Sequence, residues 1–306
     1  MPELPEVEVV RLGLAPAVTR ATISGVEVFD PRALTRHDGD ARDFEARLAG
    51  RRILGAARRG KFLWMPLAAR SADAASAAPA EALVAHLGMS GQLLLRAPGA
   101  DAGRHLRVRV GLEHPEHGEL RVDFVDQRTF GSLAIDGLVP TSDGAAGGWG
   151  AAEALVPSQV AHIARDPLDD AFDAGRLGAV LARKNSAVKR VLLDQTVLSG
   201  VGNIYADEAL WAARIHPETP ASALSPRAVG RLLAEVRAVL EKALVEGGTS
   251  FDEQYVNVNG EAGYFAHSLN AYGRGGEACP RCGGQIRREA FMNRGSHFCP
   301  RCQRRR

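Results

Sequence analysis

Two groups of residues in this chain have the types and spacing to do chemistry. One is the opening Met1-Pro2-Glu3-Leu4-Pro5-Glu6-Val7-Glu8. Removal of Met1 from in front of the small Pro2 would leave a secondary amine flanked by carboxylates. An N-terminal amine titrates at roughly 7.7–8.0, so a sizeable fraction is unprotonated near neutral pH. A secondary amine that attacks a sugar carbon can collapse to an iminium ion, and Glu3 beside it could give or take the proton. Read alone, Pro-Glu near a terminus is also simply a helix start or a frayed tail. The other group is Cys279, Cys282, Cys299 and Cys302, two Cys-x-x-Cys pairs with sixteen residues between them, which use every cysteine in the chain. That spacing matches a four-cysteine zinc ribbon, in which four thiolates close the tetrahedral shell. The expected metal is therefore one structural zinc with no position left for a reacting water. Two disulfides or a redox dithiol are the other readings. Gly283-Gly284 permits the turn after Cys282, and His297 is a substitute ligand that four cysteines make unnecessary.

The elements that must hold these groups follow from periodicity. Residues 5–19 read as a helix, with proline in its first turn and Val7, Val10, Leu14 and Val18 at three- and four-residue steps. Short strands are expected at 22–29, 51–57, 61–67, 83–87, 91–96, 105–112, 119–125 and 131–136, a spacing that suggests a sandwich or barrel. Residues 68–82 are low in complexity and read as a mobile loop, and the Gly- and Ala-rich 141–152 reads as an interdomain linker. Beyond it the period becomes helical, at 157–164, 173–183, 186–195, 203–213 and 225–246. Residues 247–276 show little periodicity, which makes them either functional or disordered, and 285–298 would form a hairpin carrying Arg287, Arg288 and Arg294.

Composition is that of an ordinary globular protein, 45% hydrophobic and 24% charged over 306 residues, long enough for two domains. No run of about 18 apolar residues and no basic-then-apolar leader is present, so neither a membrane span nor a secretory signal is expected and the cytoplasm is the default. The formal net charge is +2, but residues 271–306 hold nine arginines against Glu277 and Glu289. That segment is +7 and the rest of the chain −5. A basic block on a mildly acidic body suits a polyanion, although charge runs are often only solvated surface. An arginine held on a rigid hairpin suits bidentate phosphate contacts; the ribbon could equally dock a protein.

Five stretches taken together carry a resemblance: Pro2-Glu3-Leu4-Pro5-Glu6, Arg59-Gly60-Lys61, His86-Leu87-Gly88-Met89-Ser90-Gly91, Gly202-Asn203-Ile204-Tyr205-Ala206 and the terminal ribbon. In this order, end to end, they resemble the bacterial formamidopyrimidine-DNA glycosylases, bifunctional repair enzymes for oxidised purines. The resemblance implies an α+β protein. Its parts are a β-sandwich with a leading helix over 1–140, a linker at 141–152, a helical domain with a helix–two-turn–helix element over 153–276 and a zinc hairpin over 277–306. It implies a monomer acting on duplex DNA that contains oxidised purines, without an organic cofactor.

The implied roles are specific. Pro2 attacks the anomeric carbon of a flipped nucleotide, and β- then δ-elimination cuts the strand. Glu3 is the acid/base, Glu6 orients the terminal segment, and Lys61 is the essential lysine near the lesion and its phosphates. His86, Asn203 and Arg294 hold phosphates; for Asn203 the physical reason is free N–H groups at a helix start. Met89, Arg128 and Phe130 fill the hole left by flipping, with the arginine addressing the widowed cytosine. Asp126-Gln127-Arg128-Thr129-Phe130-Gly131 departs from the usual form, with Thr129 where a second arginine is common. Thr249, Ser250 and the region from Tyr255 to Tyr264 belong to a loop that covers the extruded base. The same fold also serves the endonuclease VIII type, which removes oxidised pyrimidines; Leu4 and the long 247–276 segment favour the purine enzyme. A non-catalytic zinc-ribbon DNA-binding protein is the remaining alternative, against which Pro2, Glu3, Glu6 and Lys61 together speak.

Overall fold

The structure, a computed structural model, describes residues 2–69, 78–101, 103–249, 258–259 and 263–305. The chain divides into two compact units, the first mainly Glu6–His162 with Pro2 and Thr249–Gly263, the second Glu3–Pro5, Ile163–Gly248 and Tyr264–Arg306.

α1 (Leu4–Val18) belongs to the first unit from Glu6 onward, and its Val7, Val10, Leu14 and Val18 are all buried, as the periodicity predicts. Two antiparallel sheets follow. One contains β1 (Thr22–Val28), β5 (Gly91–Arg96), β6 (Leu106–His114) and β7 (Gly118–Asp126) in the order β1-β6-β7-β5. The other is β2 (Ala57–Arg59), β3 (Phe62–Leu67), β4 (Glu81–His86), β8 (Ser132–Pro140) and β9 (Leu155–Pro157), in chain order. A continuous core of Leu, Val, Ile and Phe side chains joins the inner faces of these strands to α1.

Three local readings change. The strand expected at 51–57 is only two isolated bridges, at Arg52 and Ile53, because this stretch bonds to different neighbours on either side: Ile53 N–H to Ala21 O, Leu54 N–H to Pro66 O. The strand itself starts at Ala57. A helix, α2 (Ala41–Leu48), forms where none was expected; Asp40 caps it by accepting from Asp43 N–H, and Phe44 and Leu48, four apart, are buried. The helix expected at 157–164 is a single 3-10 turn, Ser158–Val160, since Pro157 ends β9 and Asp136 takes up Ser158 Oγ and Gln159 N–H. Of the expected loop 68–82, residues 70–77 lie outside those described, and its last two residues already belong to β4, where Glu81 pairs with Arg47 and Arg51. Residues 141–152 lie in the first unit: Trp149 exchanges backbone hydrogen bonds with Arg58, and Gly147 and Gly148 lie against Trp64 with no room for a Cβ.

The second unit is helical, α3 (Ala174–Arg183), α4 (Val188–Leu192), α5 (Asn203–Ala212) and α6 (Pro226–Val245), and ends in the antiparallel hairpin β10 (Arg287–Phe291) and β11 (Arg294–Phe298). Its core includes Leu4, whose N–H donates to Gly200 O at 3.0 Å; Gly200, at φ +84°, has Leu4 where a Cβ would go. The architecture is α+β, with sheets first, helices second and the hairpin last.

Candidate active site and zinc hairpin

In the first unit Pro2 is buried at the head of α1. Glu6, also buried, accepts from both the N–H and the Oγ1 of Thr249, at 2.8 and 2.9 Å. Thr249 is thus placed by the N-terminal helix. Ser250 and Tyr255 lie outside the described residues, and Tyr264 is exposed.

Lys61 sits in the tight β2–β3 turn, which Gly60 permits with φ +57°. Register then places His86, since Phe62 pairs with His86 across β3 and β4 and their rings lie 4.8 Å apart. Burial, with the positive charges of Arg36 and Lys61, pulls the His86 pKa down to about 4. The imidazole is therefore neutral at pH 7. Gly88 N–H approaches His86 Nδ1 at 3.3 Å, which assigns the ring proton to Nε2 as a donor. Met89 and Phe130 are 43% and 61% exposed, so these apolar side chains are held out of the core. Arg128 is exposed between them in sequence.

Sequence reasoning missed a buried group behind this site. Glu8 accepts from Arg11 Nη2 at 2.7 Å and Arg58 Nε at 2.7 Å, which together hold its carboxyl below the usual range against the cost of burial. Arg58 Nη1 also donates to Gly60 O at 3.2 Å, tying α1 to the turn that carries Lys61. Glu8 follows the charged opening motif and Arg58 adjoins Arg59-Gly60-Lys61, but nothing in the sequence pairs them.

In the second unit the carboxylate of Glu3, 2% exposed, accepts from the N–H groups of Gly202 at 2.8 Å and Ile204 at 3.2 Å. Glu3 is thus the cap of α5, whose own N-cap residue, Gly202, has no side chain to offer; a Cβ there would collide with the carboxyl. The expectation that these N–H groups stand free for a phosphate does not hold, because Glu3 occupies them. Asn203 Nδ2 instead donates to Gly295 O at 3.0 Å, which sets it beside the hairpin residue Arg294. A second missed group fixes this arrangement. Buried Lys189 pairs with Asp207 at 2.6 Å and reaches Gly295 O at 3.3 Å, while Asp207 accepts from Ser296 Oγ and the backbone N–H of His297. Burial pulls the Lys189 ammonium below its ordinary value against the attraction of Asp207. Lys189 sits among Val188, Val191 and Leu192, and a lysine on an apolar stripe is the available sequence signal.

The four cysteine sulfurs all lie within 4.8 Å of one another, Cys282 and Cys299 at 3.5 Å. A tetrahedral shell with Zn–S of about 2.3 Å has edges a little under ~4 Å, so the four thiols fit one zinc and leave no vacancy for water. Cys279 Sγ also accepts from Trp211 Nε1 at 3.4 Å, and Arg281 stacks over the Trp211 ring at 4.0 Å, docking the knuckle on α5. His297 Nδ1 faces Asp207, and among the described residues the cluster of ligand atoms is made of the four cysteines. Arg287, Arg288 and Arg294 are all exposed on the hairpin.

Three family models match the chain: the formamidopyrimidine-DNA glycosylase N-terminal domain at residues 1–133, its H2TH domain at 163–254, and a zinc finger found in FPG and IleRS at 276–305. Similar curated proteins include formamidopyrimidine-DNA glycosylases of Leifsonia xyli subsp. xyli, 66% identical over 99% of this chain and all of that protein, and of Thermobifida fusca, 54% identical over 99% and 97%. Among solved structures, Lactococcus lactis Fpg in complex with abasic-site DNA is similar at TM-score 0.78 and 28% identity, covering 99% of this chain and 100% of that one. The same protein with Fapy-dG-containing DNA is similar at TM-score 0.78 over the same coverage.

Proposed function

Because the chain belongs to the formamidopyrimidine-DNA glycosylase family, we propose that it is a base-excision repair enzyme that removes oxidised purines from duplex DNA and nicks the strand, working as a monomer in the cytoplasm. The observation that carries this reading is the fixation of the N-terminal segment: Pro2 is buried at the head of α1 and is followed directly by Glu3, Leu4 and Glu6, each hydrogen-bonded. Fixation of the residues that follow it supports the reading that the Pro2 nitrogen, once Met1 is removed, acts as a preorganised nucleophile.

In the proposed reaction Met1 is absent and the unprotonated Pro2 nitrogen forms a bond to C1′ of a flipped nucleotide as the C1′–base bond breaks. The base departs with its electron pair and takes up a proton. The Pro2 nitrogen gives up its N–H proton, Glu3 moves a proton to the ring oxygen as the bond from C1′ to that oxygen breaks, and the freed nitrogen lone pair completes an iminium ion. Loss of a C2′ proton then expels the 3′ phosphate, and a second elimination expels the 5′ phosphate. Lys61 and neutral His86 hold phosphates around the flipped nucleotide, as do Asn203 and Arg294. Met89, Arg128 and Phe130 occupy the space it vacates. The zinc keeps the hairpin folded and takes no part in the steps.

Borohydride trapping on duplexes with 8-oxoguanine opposite cytosine tests this. Wild type with Met1 removed, checked by intact mass, should give a covalent adduct, and Pro2→Gly should lose most of it. An adduct of equal yield from protein retaining Met1 sinks the mechanism, since an acylated proline nitrogen cannot attack. Stronger cleavage of thymine glycol than of 8-oxoguanine duplexes would transfer the chain to the oxidised-pyrimidine class.

A further inference from the structure

The turn that carries Met89 and the loop that carries Arg128 and Phe130 meet on one carboxylate. Asp126 is fully buried; its Oδ1 accepts from Ser90 Oγ at 2.5 Å and Arg128 N–H at 3.1 Å, and its Oδ2 from Gly131 N–H at 2.8 Å. Arg128 N–H also reaches Ser90 Oγ at 3.2 Å. The backbone that carries the carboxylate is itself tied down, because Asp126 pairs with Gly91 at the end of β7, donates its N–H to His105 O and accepts from Arg107 Nε at its carbonyl. The two backbones also touch. A Cβ on Gly88 would lie 2.4 Å from the Phe130 carbonyl carbon, and one on Gly131 would lie 2.9 Å from His86 O.

Within this clasp Thr129 is held at φ +56°. For a β-branched residue that region is a true outlier, costing on the order of 1–3 kcal/mol, and it persists only where surrounding bonds over-determine it. The bonds that do so flank it on both sides, at Arg128 N–H and Gly131 N–H. What they hold in place is not core: Met89 and Phe130, which adjoin Ser90 and Thr129 in the chain, are exposed over 43% and 61% of their surface. A buried carboxylate bridging residues thirty-six apart, to present two apolar side chains and an arginine to solvent, is preorganisation for something outside the chain.

We propose that Asp126, with Ser90, is a positioning pair that presets Met89, Arg128 and Phe130 as one rigid unit before DNA arrives, so that discrimination of the base opposite the lesion depends on it. The inference rests on the reading that these three residues fill the hole and address the widowed base. Single-stranded DNA has no widowed base, so the pair should matter only on duplexes.

The test compares wild type, Asp126→Asn and Ser90→Ala. Each is assayed for kcat/KM on 8-oxoguanine opposite cytosine and opposite adenine, and for borohydride trapping on a single-stranded abasic oligonucleotide. The expected result is a cytosine-over-adenine ratio reduced about tenfold in Asp126→Asn, the scale of one lost hydrogen bond to a charged group, and less in Ser90→Ala. Single-strand trapping stays at the wild-type level in both. A ratio unchanged in both variants overturns the inference, as does single-strand trapping that falls by the same factor as duplex excision. If Asp126→Asn does not fold, Ser90→Ala decides by the same criteria. Wild type that traps no abasic DNA would remove the proposed function, and this inference with it; wild type that traps normally beside variants with an intact ratio removes the inference alone.

Discussion

Glu3 has two tasks on one carboxylate: it caps α5 and stands next to the terminal nitrogen in sequence. They can be separated by substitution. Glu3→Ala removes the cap and should cost about 1–2 kcal/mol of unfolding free energy in a urea titration, the usual scale for a lost N-cap. Glu3→Gln keeps an acceptor for one N–H and should cost less, yet lose excision as fully as Glu3→Ala. Wild-type excision by Glu3→Gln would leave the carboxylate as a cap only. His86 makes a different prediction. Its folded pKa is about 4 against 6.5 for the free side chain. Between those values the unfolded chain binds the proton and the folded chain does not, so stability present above pH 6.5 is lost as pH falls toward 4. Urea unfolding across that window should show a shallower loss in His86→Gln than in wild type. DNA affinity should gain nothing from His86 between pH 8 and 6, because the group donates as a neutral imidazole; a gain abolished by His86→Gln would show that it binds as a cation.

Among the elements, α4, α5 and the hairpin depend on two devices that supply what a small module cannot bury. The first is the metal. Chelation should release one zinc per chain and leave β10 and β11 without the order that sets Arg294 beside Asn203, so duplex binding should fall with zinc content. Binding that survives full removal of zinc would place the DNA contacts elsewhere. The second is the Lys189–Asp207 pair, where both side chains are fully buried. Lys189→Met leaves the Asp207 charge uncompensated and should destabilise by about 3–5 kcal/mol in urea unfolding; a loss below about 1 kcal/mol would mean that the carboxylate is satisfied by Ser296 and His297 alone.

For the whole molecule, net charge says little and its distribution says more. The chain is only +2 overall, yet nine arginines fall in the last thirty-six residues. If phosphate contacts dominate binding, log affinity should fall linearly with log salt with a slope of roughly 4–6, the value expected for five or six neutralised phosphates. A slope near zero would argue against the phosphate-holding roles of Lys61 and Arg294, the charged members of that group. Among the described residues no helix is long and apolar enough to cross a membrane.

Much of this was legible in the sequence because it is local. The buried stripe of α1, the helix starting at Asn203 and the two Cys-x-x-Cys pairs each follow from residues within a turn or two of one another, where period and ligand spacing are enough. Even α2, passed over, had its signal in Asp40 and in the Phe44–Leu48 spacing. Only the tertiary structure could decide which charges would be buried together. Glu3 reaches the start of α5 across 199 residues, Glu6 reaches Thr249 across 243, Arg58 reaches Glu8 across fifty, and Asp126 reaches Ser90 across thirty-six. A carboxylate in sequence is equally a solvated surface group; its role is set by the N–H and guanidinium donors the fold brings to it, because burial without them would be prohibitive. The terminal Pro-Glu motif could therefore be read as a candidate nucleophile from the first residues, while what holds it still was settled some two hundred residues downstream.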